Sequence, residues 1–394
     1  MQKKTSRLFY ESSQKNINPF IQTVQMKIAL VIFRFGPSHG SILQTYALTR
    51  TLESMGHQVV IIDRQRPIDI ISYKSLIVRV LKNTLKGKVS IHDFYLDSYS
   101  SLEMKELNHF IEKELRKQTI TTRSNREMLR IGKMDFDAFV VGSDQTWRPK
   151  YVYNIYDYFL DFVPKEITCK RVAYAPSFGT SEWEYTEEQE AKCTELLHRF
   201  NAISVREENG VKMCKDRFGV EATHVLDPTL LLQGKDYTKF VIPNESSYLG
   251  CNFLDFTQSK NKIASIVAEK LSLPINQLIQ MGNEDIPLRK RIAPSIENWL
   301  SGIYNSEYML VDSFHATVFC ILFHKNFLTI GNGARGLARF TSLLKIVGLE
   351  DRLITSNTAI DKDIIEKTID WQHVEENIRN NRLKSLNFLK EHLA

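Results

Sequence analysis

Short apolar runs alternate along this chain with stretches whose apolar residues recur at helical spacing. That alternation predicts a parallel, doubly wound α/β sheet. Lys27 to Phe33 reads as the first strand. A helix follows from about Ser41 to Met55, with Ile42, Leu43, Tyr46, Ala47, Leu48 and Leu52 apolar and Gly56 closing it. Further strands are expected at Gln58 to Ile62, Ala138 to Val141, Arg171 to Ala175, Ala202 to Val205 and Thr223 to Leu226. A helix is expected near Glu187 to Phe200.

Asp227-Pro228 closes this series and a second one begins. Its strands are expected at Tyr248 to Phe253, Ile275 to Gln280, Tyr308 to Val311 and Phe327 to Ile330. Its helices are expected at Lys260 to Leu271, Thr317 to Phe323 and Leu337 to Val347, with one or two more from Gln372 to His392. The expected organisation is a polar, basic extension over 1–25, then two α/β domains, 26–228 and 229–394, facing a cleft. The extension is either disordered or the product of an upstream start. The C-terminal helices are expected to pack back on the body.

A chain of 394 residues suits two or three domains, and 43% hydrophobic with 25% charged residues is the balance of a soluble globular protein. No run approaches the ~18 apolar residues of a membrane span. Lys3, Lys4 and Arg7 are followed by no apolar segment, so no secretory signal is read. Cys169, Cys193, Cys214, Cys251 and Cys320 are scattered, which argues against a disulfide framework and a cysteine zinc site. A reducing cytoplasm fits them. The net charge of +6 comes with no nucleic-acid-binding signature, so no nucleic-acid partner is expected. HExxH and Walker A motifs are absent, and no metal and no cofactor is expected.

Residues 64–88 carry seven basic residues and one acid, with Ile70, Tyr73, Ile77, Val80 and Leu81 at helical spacing. The pattern suits a surface helix packed on the core. It also suits peripheral contact with anionic lipid at the inner face of the membrane.

Ligands of open α/β sheets bind outside the carboxyl ends of the strands, and several strand ends here carry polar residues. The Ala138 to Val141 run stops at Gly142 and offers Ser143, Asp144, Gln145 and Trp147. The first strand ends in a turn containing Gly36, His39 and Gly40, and Ser41 is read as the helix N-cap. Free N–H groups at such a turn suit an anion. Arg206 follows another strand. Val311 is followed by Asp312, Ser313, Phe314 and His315, and a histidine beginning a helix suits acid–base duty. Gly331 to Gly336 matches GxGxxG, but Glu350 and Asp351 come too early for a dinucleotide site. With Arg335 and Arg339 nearby, the turn suits a phosphate or carboxylate instead.

Together, GSILQTYAL (40–48), VVGSDQTW (140–147), RVAYAPSFG (171–179), SVREENG (204–210), VLDPTLLL (225–232) and DSFHATVF (312–319) resemble the polysaccharide pyruvyl transferase family. The resemblance implies two Rossmann-like domains, glycosyltransferase-B-like, with the site in the cleft between them. It implies transfer of a pyruvyl group from phosphoenolpyruvate, a substrate, onto a sugar of a surface polysaccharide or its lipid-linked precursor, forming a cyclic ketal. In that picture the N-terminal domain is the acceptor side and the C-terminal domain the donor side. His315 takes the acid–base or phosphate role, with Asp144 a candidate base. Arg335, Arg339, Arg206 and Ser313 take the donor anions, and Gln145, Trp147, His39 and Ser41 the acceptor. Where some members have Arg, this chain has Ser313; Ser38-His39-Gly40 stands for Asn-Tyr-Gly, and Arg148 for Asn. Two other readings stay open: a glycosyltransferase of the same fold using a nucleotide sugar, with Glu297 or Asp312 on the ribose, and a non-catalytic glycan-binding protein.

Overall fold

The computed structural model describes residues 25–67, 104–280, 292–331, 336–355 and 357–394. The N-terminal half builds a seven-stranded sheet from β1 (Lys27–Ile32), β2 (Gln58–Arg64), β3 (Thr119–Thr122), β4 (Ala138–Val141), β5 (Lys170–Ala173), β6 (Ala202–Val205) and β7 (Thr223–His224). The C-terminal half builds a five-stranded sheet from β8 (Leu249–Asn252), β9 (Ile275–Gln277), β10 (Tyr308–Val311), β11 (Asn326–Ile330) and β12 (Leu353–Ile354). Every described strand pair is parallel.

Both sheets are covered on both faces, which is why the strands read as unbroken apolar runs rather than alternating ones. The pleat still sorts the side chains. Ile28, Leu30 and Ile32 of β1 enter one core, while Ala29 and Val31 enter another on the opposite face. In β10, Met309 and Val311 join the first of these cores. That cluster therefore runs from one half of the molecule into the other.

The strand orders place the site. The first sheet runs β3-β2-β1-β4-β5-β6-β7 and the second β12-β11-β10-β8-β9. Each order reverses once, between β1 and β4 in one sheet and between β8 and β10 in the other. A crevice opens outside the strand ends at such a reversal.

The described helices of seven or more residues are α1 (His39–Ser54), α2 (Lys105–Glu114), α3 (Asn125–Ile131), α4 (Glu187–Leu197), α5 (Glu208–Phe218), α6 (Gln258–Leu271), α7 (Ile296–Tyr304), α8 (Phe314–Leu322), α9 (Ala338–Val347) and α10 (Trp371–His392). α1 starts at His39, earlier than the sequence suggests, because the Ser38 hydroxyl rather than Ser41 caps it by accepting from Ser41 N. α8 likewise starts at Phe314, with Ser313 as cap. α2 and α3 were not read from sequence: α2 buries Leu107, Phe110 and Ile111, and α3 is fixed by a capping box of Ser124 and Glu127. α10 is one continuous helix. Its Ser385 hydroxyl accepts from Leu226 N, and Arg382 donates to the carbonyls of Leu230 and Leu232, tying it to the junction between the halves. No described helix is long and apolar enough to cross a membrane. The extension up to residue 24 and residues 68–88 of the basic stretch lie outside the described residues.

Candidate active site

The two sheet reversals face one cavity of about 470 Å³. Its wall takes Phe33 and the Pro37–Gly40 turn from β1, and Asp144, Gln145 and Tyr151 from β4. The second half contributes Asn252 at the end of β8, Leu254 after it, Asp312 to His315 after β10, and Arg339 of α9. The volume lies in the range of small-molecule sites.

Two helices begin at this cavity, α1 and α8, and both present N-terminal N–H groups to it. They pack so closely that a Cβ on Gly40 would overlap the imidazole of His315. Glycine at 40 is thus what admits the histidine ring. His39 points elsewhere: its ring stacks on Trp299 at 5.0 Å and its Nε2 lies 2.8 Å from the carbonyl of Pro294. Burial lowers its pKa to about 4, opposed by that hydrogen bond, so Nε2–H donates and the ring is neutral. His39 lines the cavity as a neutral wall residue.

Behind His315 lies a buried charge network that sequence reading missed. His315 Nε2 is 3.7 Å from Asp227 Oδ2, and this nitrogen is buried without a hydrogen-bond partner among the described residues. Arg206 Nη1 reaches the same carboxylate oxygen at 2.9 Å, Gln44 Nε2 donates to it as well, and Thr229 donates its N–H and hydroxyl to Oδ1. Burial would raise the Asp227 pKa, but His315, Arg206 and Thr229 together hold it well below the usual carboxylate range. Asp227 is therefore an anion fixed against one edge of the imidazole. The sequence signal was present in the Asp227-Pro228 motif, which reads equally well as a turn.

Arg206 does not line the cavity. It is 4% exposed, held between Asp227 and more distant Asp144 and Glu207 at 3.8 and 4.0 Å, and it lies over the Phe314 ring. Its charge serves the network rather than reaching into the cavity. Arg339 does line it. Burial, then Arg206, lowers the Arg339 pKa to about 10, which leaves it cationic at neutral pH. Arg335 lies outside the described residues.

Asp144 lines the same cavity as His315, from the turn after β4. Its φ is +77°, a left-handed conformation that is costly for a non-glycine residue and common at functional sites. Ala175 at the end of the neighbouring strand is also left-handed, and the Ser143 hydroxyl donates to its carbonyl. Gln145 lines the cavity, and its Oε1 accepts from Arg148, which pairs with Glu184 at 3.0 Å. A Cβ on Gly179 would overlap Gln145 Oε1, so a close backbone approach also fixes this side chain.

Two expected contacts fall elsewhere. Trp147 is fully buried, stacks on Phe159 and donates its indole N–H to the Tyr158 carbonyl; it is a core residue. Ser41 lies one helical step inside α1, behind the cavity wall with Gln44 and Ser143. Ser313 lines the cavity while its hydroxyl caps α8. Asp312, one of the two acids named for a ribose, already accepts from Leu254 N at 2.7 Å and pairs with Lys260 at 2.5 Å.

No curated protein matches this sequence. Among solved structures, a putative UDP-N-acetylglucosamine 2-epimerase from Listeria monocytogenes is 8% identical, with a TM-score of 0.50, over 91% of this chain and 90% of that one. A glycosyltransferase from Rickettsia africae is 12% identical, with a TM-score of 0.48, over 93% and 96%. At such identities the likeness is one of fold, the two-domain glycosyltransferase-B-like arrangement. The family model for polysaccharide pyruvyl transferase matches residues 39–333, from the start of α1 to just beyond β11. The chain belongs to the polysaccharide pyruvyl transferase family.

Proposed function

We propose that this protein transfers the pyruvyl group of phosphoenolpyruvate to a sugar of a surface glycan or its lipid-linked precursor, closing a cyclic ketal. The observation that carries the reading is that one cavity is lined both by His315, backed by the Asp227 anion, and by Asp144.

The donor carries a phosphate and a carboxylate. The N–H groups at the start of α8, Ser313 and Arg339 are the groups that would hold them. His315 delivers a proton to C3, making C2 electrophilic, and Asp227 steadies the imidazolium beforehand. A sugar hydroxyl attacks C2 while Asp144 takes its proton. The C2–O bond to phosphate then breaks, and a neighbouring hydroxyl closes the ring. Of the two hydroxyl protons, one replaces the proton delivered to C3 and the other leaves with phosphate, so the sum balances.

Asp312 is engaged by Leu254 N and Lys260, and Glu297 is not among the described residues lining the cavity, which supports this reading over a nucleotide-sugar donor. Thermal shifts test it. Phosphoenolpyruvate at about 100 times its Kd should stabilise the fold by ~2.7 kcal/mol. Stabilisation by nucleotide sugars and none by phosphoenolpyruvate would overturn it.

A further inference from the structure

Beside the cavity, on the side of the N-terminal sheet, three arginines converge. Arg34, Arg64 and Arg66, from the ends of β1 and β2, line a notch of about 10 Å³ with Tyr151, Tyr153 and Tyr158. Phe33 and Tyr151 belong to the walls of both notch and cavity. Arg64 is neutralised internally, by Asp157 at 2.7 Å and by the Asn125 amide oxygen at 2.8 Å. Arg34 and Arg66 form no ion pair among the described residues. Arg34 Nε is buried without a hydrogen-bond partner among the described residues. Arg66 is exposed, and it is its carbonyl that is engaged, by Arg123. The neighbouring acid, Asp63, is taken up by Phe35 N and Gln65.

Burial, and after it the charge of Arg66, disfavours the Arg34 cation. Arginine cannot shed its proton to escape this. Two guanidiniums without an acid between them are costly unless an anion bridges them, and their planar forks match a carboxylate or phosphate. Tyr153 is 45% exposed and Tyr151 36%, so flat amphipathic rings flank the arginines. The notch holds one oxygen of an anion rather than a whole ligand, and exposed Arg66 can swing to admit the rest.

We propose that Arg34 and Arg66 form a subsite for an anionic group of the acceptor, a carboxylate or phosphate carried next to the sugar that occupies the cavity. This rests on the transfer reading above, and it makes the acceptor an acidic or phosphate-linked glycan.

Calorimetry with glucose, glucuronate and glucose 1-phosphate tests it, on the full chain and on Arg34→Gln, Arg66→Gln and Arg34→Lys. The two charged sugars distinguish a carboxylate from a phosphate source. At least one should bind about tenfold or more tightly than glucose, a preference that fades with added salt. Each Gln variant should abolish the preference, Arg34→Lys should keep part of it, and phosphoenolpyruvate binding should be unchanged. The Gln variants should melt no lower than wild type, because a repulsion is removed. Equal binding of charged and neutral sugars, absent binding of all three, or a preference surviving in both Gln variants overturns the subsite. Loss of phosphoenolpyruvate binding in Arg34→Gln overturns it too, by making the notch a donor site. An Arg34-dependent preference in a protein that ignores phosphoenolpyruvate leaves the subsite standing and removes the transfer reading.

Discussion

Gly40 of α1 and His315 of α8 share one space: the histidine ring lies where a side chain at position 40 would stand. The contact joins the two halves of the molecule at the point where both helix N-termini reach the cavity. Gly40→Ala would help the helix by about 1 kcal/mol, but overpacking costs about 1–3 kcal/mol. We expect a net stability change under about 2 kcal/mol in urea and a loss of kcat of a hundredfold or more, because the ring must move. A fully active Gly40→Ala enzyme would show that the position of His315 is unimportant.

Asp227 anchors the ring from behind. Asp227→Asn leaves Arg206 buried beside a neutral amide, and breaking such a pair costs about 3–5 kcal/mol. Urea melts should show this loss. The depressed pKa of Asp227 sets its sign with pH: its contribution is full above the unfolded carboxylate value near 3.9 and is lost only as pH falls below that.

His39 makes stability fall earlier on acidification. Its pKa drops from 6.5 in the unfolded chain to about 4 in the fold, so the unfolded state binds the extra proton between those values. Stability should therefore decline as pH falls from 6.5 to 4, by roughly 3 kcal/mol in all. His39→Gln should flatten that slope between pH 6.5 and 5. An unchanged slope would mean that the ring is not buried neutral.

Asp144→Asn keeps a residue type that tolerates a left-handed backbone and removes the carboxylate proposed as the base. The turnover number should fall by about 10²–10⁴, with phosphoenolpyruvate affinity and melting temperature near wild type. A variant with wild-type turnover would remove Asp144 from the chemistry.

Trp147→Phe separates core from site. It forfeits the indole bond to the Tyr158 carbonyl and should cost stability by about 1–3 kcal/mol. Acceptor KM should stay within about twofold, since Trp147 does not touch the cavity. A large KM effect would contradict that placement.

The parts of the fold legible in sequence were those with strong local signals. β4 and β10 stand where their apolar runs stand, because a strand buried on both faces carries little polar signal to blur it. The start of α1 was read too late because Ser38 and Ser41 both stand there, and only geometry shows which hydroxyl meets the N–H groups; the start of α8 was also read too late. Asp144, Gln145, Ser313, His315 and Arg339 were legible as cavity residues because strand ends and helix starts face crevices. Trp147 and Arg206 sit in equally promising positions, yet their side chains turn into the core and into the Asp227 network. Backbone position does not tell which way a side chain turns. Asp227 was missed because its role comes from partners 21 to 183 residues away in sequence, such as Arg206 and Gln44, that no local pattern links to it.

The most direct test is phosphate release from phosphoenolpyruvate in deuterated water, with a panel of glycan and lipid-linked acceptors, followed by NMR of the product. The account predicts acceptor-dependent phosphate release, one solvent deuterium in the ketal methyl group, and loss of both in His315→Ala. Release of a nucleoside diphosphate from a nucleotide sugar, or phosphate release undiminished in His315→Ala, would contradict it.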